Sequence, residues 1–358
     1  MAGSNFDYEL VVIGSGPSGQ RAAIQAAKLG KSVALIERAR AVGGICVNFG
    51  TIPSKTFREA ALHLSGYRER GIYGSSYRVK QEVTIDDLLF RVHQVVRSEI
   101  DVIRNQMARN RVDLIEATAS FLDAHRLELI SAGGHGKRQI SAEKIVIACG
   151  TEAARDEHIP FDGQRVFTSD DVLCLTKLPR SLIVVGAGVI GVEYATMFAA
   201  LGVRVTVVDK RPVLLPFLDH EISAALTYVA QQSNMTMRLG EEVADIHLLE
   251  GVSKPVEVRL KSGKSLHAEA ALYSIGRAGA TSSLNLPAAG VAADNRNRIP
   301  VNEHFQTNVD HIYAVGDVIG FPSLASTSYE QGRAAARHAF GLRSEHEGGI
   351  GLFPYGIY

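Results

Sequence analysis

Cysteine is scarce in this chain. Only Cys46, Cys149 and Cys174 occur among 358 residues. So few thiols exclude a small disulfide-stapled scaffold and fit a reducing compartment. Neither charge is in excess: 38 Lys and Arg balance 38 Asp and Glu, which leaves no polybasic surface for nucleic acid or an anionic membrane. Long apolar runs are missing too. The stretch that comes nearest, residues 181–203, carries Glu193 and glycines at turn spacing, so it reads as a buried strand and a helix rather than a membrane span. The opening MAGSNFDYEL lacks a basic segment followed by an apolar one, and no signal peptide is expected. Twelve histidines show no metal-ligand spacing, so no metal site is expected. A soluble, cytoplasmic protein is the expectation.

Glycine, by contrast, is plentiful at 34 residues, and much of it falls in ordered motifs. The length calls for two domains. Residues 8–13 form a continuous β-prone run suited to a strand buried on both faces. Gly14-Ser-Gly-Pro-Ser-Gly19 follows, then an Ala-rich helix to Leu29 stopped by Gly30, then a strand ending at Glu37. A near-copy begins at Leu182: strand, Gly186-Ala-Gly-Val-Ile-Gly191, helix, and a strand ending at Asp209. In both copies the acid stands 18 residues after the third glycine.

A lone GxGxxG is weak evidence, since glycine also serves tight turns. Here each copy has a strand before it, a helix after it, and an acid where a ribose hydroxyl would lie. The second glycine lets the backbone approach a pyrophosphate, and the helix N-terminus offers N–H groups and partial positive charge. Gly14, Gly16, Gly19 and Glu37 therefore read as one dinucleotide site, and Gly186, Gly188, Gly191 and Asp209 as another. For either acid the competing reading is a solvated carboxylate at a strand end.

Between the copies, a Gly-rich loop from Val42 to Gly50 leads into Thr51 and a helix. A long amphipathic helix is predicted from Thr84, its N-cap, to Asn110. Residues 112–140 read as an antiparallel meander turning at Gly133-Gly-His-Gly136, and Lys144–Gly150 reads as a separate buried strand. A helix is predicted from about Ser326 to Phe340. The layout is an α/β fold of two Rossmann-like domains, the second inserted in the first: residues 1–152, 153–275 and 276–345, with 346–358 beginning something further.

Taken in order, the two glycine turns, the loop Gly43-Gly-Ile-Cys-Val-Asn-Phe-Gly-Thr-Ile-Pro-Ser-Lys55, the pair Gly276-Arg277 and the segment Thr307–Asp317 resemble the flavoprotein disulfide reductase superfamily across nearly the whole chain. The resemblance implies FAD on the first turn, with Glu37, Arg38, Gly43, Gly44, Cys46, Lys55, Gly150 and Asp317 around it. It implies NAD(H) or NADP(H) on the second, with Asp209, Lys210, Arg211 and Gly276. Lys55 and Glu193 are implied to pair beside flavin N5 as the catalytic groups.

One departure narrows the reading. Disulfide reductases of this superfamily carry two flavin-loop cysteines with four residues between them; here Cys46 is present but Thr51 holds the second position. A lone thiol cannot form that internal disulfide. Together with GTIPSK and the stretch Ala314–Ser326, this is similar to the soluble pyridine nucleotide transhydrogenases, which implies ping-pong hydride exchange from NADPH to NAD⁺ through flavin. Without its partner, Cys46 is expected to pack, and Cys149 and Cys174 are expected in the core. An acid at position 209 favours NAD, while Lys210 and Arg211 could grip a 2′-phosphate. Family members continue into a C-terminal dimerisation domain, missing here, so a homodimer or larger homo-oligomer is implied for the complete relative.

Overall fold

Leu10 to Ile13, the end of strand β1 (Tyr8–Ile13), are buried on both faces, as a central parallel strand requires. In the computed structural model, which describes residues 6–74, 76–131, 134, 136–342 and 355–357, this strand feeds α1 (Pro17–Lys28). Pro17 suits the first turn of α1, and Gly30 at φ +77° follows its end. Next comes β2 (Val33–Glu37), buried throughout. The Gly-rich loop holds a short helix, α2 (Gly44–Asn48), that the sequence did not announce. Gly43 at φ +108° starts it, and the Asn48 side-chain amide donates to Val42 O and Gly44 O. Then follow α3 (Thr51–Leu64), α4 (Arg70–Tyr73) and the 25-residue α5 (Ile85–Arg109).

The predicted meander is β3 (Asp113–Phe121), β4 (Arg126–Ser131) and β5 (Lys137–Ile147). Its turn was read at Gly133-Gly-His-Gly136; Gly133 and His135 lie outside the described residues, as do residues 1–5, 343–354 and 358. Strand β5 corrects the sequence reading, because it is one strand rather than two. Its first half pairs antiparallel with β4 and its second half parallel with β1. Strand β3 does the same, leaving β2 at Glu116 to pair with β4.

The chain continues through β6 (Thr151–Ala153), β7 (Val166–Thr168), β8 (Ser181–Val185), α6 (Val189–Ala200), β9 (Arg204–Asp209) and α7 (His220–Gln232). Strands β10 (Met235–Leu239), β11 (Val243–Leu248), β12 (Val256–Leu260), β13 (Ser265–Ala268) and β14 (Ala270–Tyr273) follow. After β15 (Arg277–Gly279) and β16 (Ile312–Ala314), α8 (Ala325–Ala339) runs where a helix was predicted.

Two compact units result. One comprises the described residues of Met1–Thr51, Val96–Glu152 and Arg277–Tyr355; the other those of Ile52–Val95, Ala153–Gly276 and Gly356–Tyr358. Residues 52–95 thus pack with the second unit, although they precede the boundary read at 152. In the first unit the parallel order is β3-β2-β1-β5-β16, with β4 joining the outer ends of β3 and β5. In the second it is β10-β9-β8-β14-β7, beside the antiparallel trio β11-β12-β13. β1 and β8 therefore each lie between the strand that follows them and a strand from far along the chain. This is the switch point at which open α/β sheets bind ligands beyond their strand ends. Each unit has its own apolar core, around Ile145, Phe121 and Ile312 in the first and Val185, Val208 and Val258 in the second. Among the described residues no helix is long and apolar enough to cross a membrane.

Candidate functional site

The turn between β1 and α1 uses its three glycines differently. A Cβ on Gly14, at φ +104°, would lie 2.3 Å from Ala148 O, and one on Gly19 would lie 1.9 Å from Gly14 O. The protein's own backbone demands both. A Cβ on Gly16 meets nothing within 4 Å. Between β8 and α6 the pattern repeats: Gly186 is confined by Ser274 O at 2.6 Å and Gly191 by Gly186 O at 2.0 Å, while Gly188 again faces open space. Each middle glycine precedes a helix whose N-cap makes no side-chain bond, and whose first backbone bonds run from Gln20 to Gly16 and from Val192 to Gly188. The N–H groups ahead of those bonds and the clear space over the middle glycine are what a pyrophosphate needs. The residues present fit a dinucleotide at both turns.

The acids behind the turns are buried, not solvated strand ends: Glu37 and Asp209 are each 7% exposed. Glu37 accepts from Ser15 N at 3.0 Å, Ser15 Oγ at 2.6 Å and Ala39 N at 3.0 Å. Asp209 accepts from Ala187 N at 2.6 Å, Arg211 N at 2.8 Å, Arg211 Nε at 2.9 Å and Arg211 Nη2 at 2.6 Å. Burial works to raise the Asp209 carboxyl, but the Arg211 guanidinium and the two N–H groups outweigh it and hold it below the usual carboxylate range. Arg38 and Lys210, next along the chain from each acid, are exposed.

In the first unit, Gly43 N donates to Ser15 Oγ at 2.9 Å, and a Cβ on Gly44 would sit 2.8 Å from Gly16 Cα. The Gly-rich loop is thereby set against the glycine turn. Cys46 bonds to the Thr51 side chain, and burial pushes its thiol up, against that bond. All three cysteines are free. Cys149 borders the core, with its thiol pushed up to about 12 by burial. Cys174 is exposed, against expectation: in the 3₁₀ turn Val172–Cys174, Val172 points inward and Cys174 out. Asp317 lies in the 3₁₀ turn Gly316–Ile319, its carboxyl raised by burial against the pull of Arg277. Arg277 itself donates from Nε to Thr151 Oγ1 at 2.9 Å. Gly150 and Gly276, at φ +67° and +145°, both have open space where a Cβ would be.

In the second unit, Lys55 Nζ lies 2.8 Å from both carboxylate oxygens of Glu193. Each is the fifth residue of its helix, α3 and α6, and Phe57 and Phe198 bring the same helices together with ring centroids 6.1 Å apart. Glu193 is 9% exposed in its side chain and Lys55 31%, so the lysine is the end that can be reached.

Two contributors escaped the sequence reading. Ser15 ties together the turn, Glu37 and the loop, and Gln331 Oε1 accepts from Gly316 N at 2.7 Å beside Asp317. Ser15 occupies a free position of the glycine motif, and Gln331 lies inside α8, past the end of the stretch Ala314–Ser326, so neither carried a signal.

A family model described as pyridine nucleotide-disulphide oxidoreductase matches residues 8–332. The soluble pyridine nucleotide transhydrogenase of Mycobacterium tuberculosis (strain ATCC 25177 / H37Ra) is 52% identical over 98% of this chain and 74% of its own length. That of Colwellia psychrerythraea is 42% identical over 99% and 75%. Among solved structures, the HOCl-induced flavoprotein disulfide reductase RclA of Escherichia coli matches with a TM-score of 0.80 at 30% identity, covering 94% of this chain and 72% of that one. LpdA of Mycobacterium tuberculosis matches at 0.84 and 28%, covering 93% and 73%. The doubled turn and these matches agree: the chain belongs to the pyridine nucleotide-disulphide oxidoreductase family.

Proposed function

We propose that the chain exchanges hydride between NADPH and NAD⁺, with FAD on the first glycine turn and the nicotinamide nucleotides taking the second. When bound, FAD supplies a carrier that accepts hydride from one nicotinamide and yields it to another. Gly14, Gly16, Gly19, Glu37, Arg38, Gly43, Gly44, Cys46, Gly150 and Asp317 hold it. Gly186, Gly188, Gly191, Asp209, Lys210, Arg211 and Gly276 hold the nicotinamide nucleotide. Lys55 and Glu193 are the proposed catalytic pair: the carboxylate fixes the ammonium, and the ammonium offsets the negative charge that hydride brings.

The observation that carries this reading is the single sulfur. Cys46 has Thr51, not a second thiol, as its partner, so the loop offers no dithiol to pass electrons onward. Transfer therefore ends at a second nicotinamide. Purified protein given FAD, NADPH and a chromogenic NAD⁺ analogue is expected to reduce the analogue. Turnover of lipoamide or an aromatic disulfide in its place would make the chain a disulfide reductase.

A further inference from the structure

The two acidic clamps are copies, and comparing them isolates one residue. Ser15 and Ala187 occupy the same place in their turns, each donating its N–H to the acid 22 residues on. Ala39 and Arg211 likewise stand two residues past each acid and donate their N–H back to it. In the first clamp the remaining contact is the neutral Ser15 hydroxyl. In the second, position 187 has no hydroxyl, and the Arg211 guanidinium covers both oxygens of Asp209 instead. A methyl at 39 has become a cation at 211, on the same backbone position.

From this difference we infer that Arg211 is a swinging specificity residue that lets one clamp accept adenosine carrying either a 2′-hydroxyl or a 2′-phosphate. The inference rests on reading the second turn as a nicotinamide-nucleotide site. With Arg211 folded onto Asp209, the acid has its charge balanced and each oxygen accepts two hydrogen bonds, so a ribose hydroxyl takes the place of one guanidinium N–H while the other keeps the charge paired. A 2′-phosphate brings two negative charges beside a buried carboxylate, which an unaided acid repels. Arg211 can answer it because its side chain is 42% exposed while that of Asp209 is 6%. The anchored partner stays and the solvent-facing one turns. Ion pairs with one end in water are weak, so exchanging carboxylate for phosphate is a shift between two similar contacts. Asp209 meanwhile retains the Ala187 and Arg211 N–H bonds, so it is not left bare. Lys210 is exposed, and Arg211 is the cation whose guanidinium is held at the clamp.

Calorimetric titration of FAD-loaded protein with 5′-AMP and with adenosine 2′,5′-bisphosphate tests this. Wild-type protein is expected to bind both. In Arg211→Ala the bisphosphate should weaken at least tenfold and AMP less than threefold, and Arg211→Lys should recover part of the loss. Asp209→Asn, which releases the arginine, should tighten the bisphosphate and weaken AMP. Equal losses of both ligands in Arg211→Ala, or no loss of either, would overturn the swinging role while leaving the site intact. If neither adenosine ligand bound wild-type protein, the nucleotide reading of the second turn would itself fall.

Discussion

A methyl group would act differently on Gly14 and Gly16, two residues apart. Gly14 has φ +104° and a carbonyl 2.3 Å from where a Cβ would sit, so Gly14→Ala is expected to cost roughly 2 kcal/mol or more in folding stability. Gly16 has φ −64° and open space, so Gly16→Ala should leave the ligand-free protein within about 0.5 kcal/mol of wild type. Its FAD affinity should nonetheless fall at least about tenfold, because the methyl fills the space over the helix N-terminus. Thermal melting beside flavin fluorescence quenching separates the two, and equal destabilisation would remove the ligand argument. Lys55 offers a second case at this scale. Lys55→Met strands much of the Glu193 charge, which is expected to cost about 1–3 kcal/mol, tempered by the lysine's partial exposure. Stopped-flow reduction of the FAD-loaded variant by NADPH should slow by roughly ten- to a hundredfold. An unchanged rate would confine the pair to a structural role.

Helix α5 shows how an element can be legible from its first turn. Thr84 Oγ1 accepts from Asp87 N at 3.3 Å while Asp87 accepts from Thr84 N at 2.8 Å, a reciprocal capping box. Thr84→Ala is expected to cost about 1 kcal/mol, read from denaturant midpoints at pH 7. The Asp87 carboxyl is lowered to about 2, first by Lys80 and then by Thr84. The box is therefore intact above pH 3.8 and weakens as pH falls toward 2, a course that carbon-detected NMR titration would follow. Other elements hid from the sequence for identifiable reasons. The helix α2 depends on Asn48 reaching back to Val42 and Gly44, a contact without periodicity. The length of β5 was masked because it changes partners midway, from β4 to β1, and its burial changes with them. Both glycine turns and both acids were plain, since close backbone approach leaves no residue but glycine at Gly14, Gly19, Gly186 and Gly191. Which protein groups hold the acids was not plain, because Ser15 and Arg211 reach them from positions the motif leaves free.

At the scale of the molecule, proton and electron uptake each have a predictable course. In the first unit His125 and His311 stack at 3.8 Å, each ring N–H donating to a carbonyl, of Ala142 and Ala124. His304 and His338 form a second stack at 4.3 Å. Burial lowers both His311 and His338, helped by their partner imidazoles and by Lys144. The unfolded chain then takes these protons first, so this part of the stability is full above pH 6.5 and drains as pH falls below it. Urea midpoints should drop from pH 7.5 to 5.5, and less so in His311→Asn; a flat profile would contradict the coupling. Electrons meet a simpler inventory. Cys46 is bonded to Thr51 and held neutral by burial, Cys149 is pushed to about 12, and Cys174 lies exposed with its thiol free. None is paired with another sulfur, so under the proposed function a bound flavin has no dithiol to share electrons with. Anaerobic dithionite titration of FAD-loaded protein should consume two electrons per flavin. A neutral thiol donates no charge to the ring system, so no long-wavelength thiolate band should grow in during the titration. Consumption of four electrons, or a band that disappears in Cys46→Ser, would show a working dithiol and return the chain to disulfide chemistry.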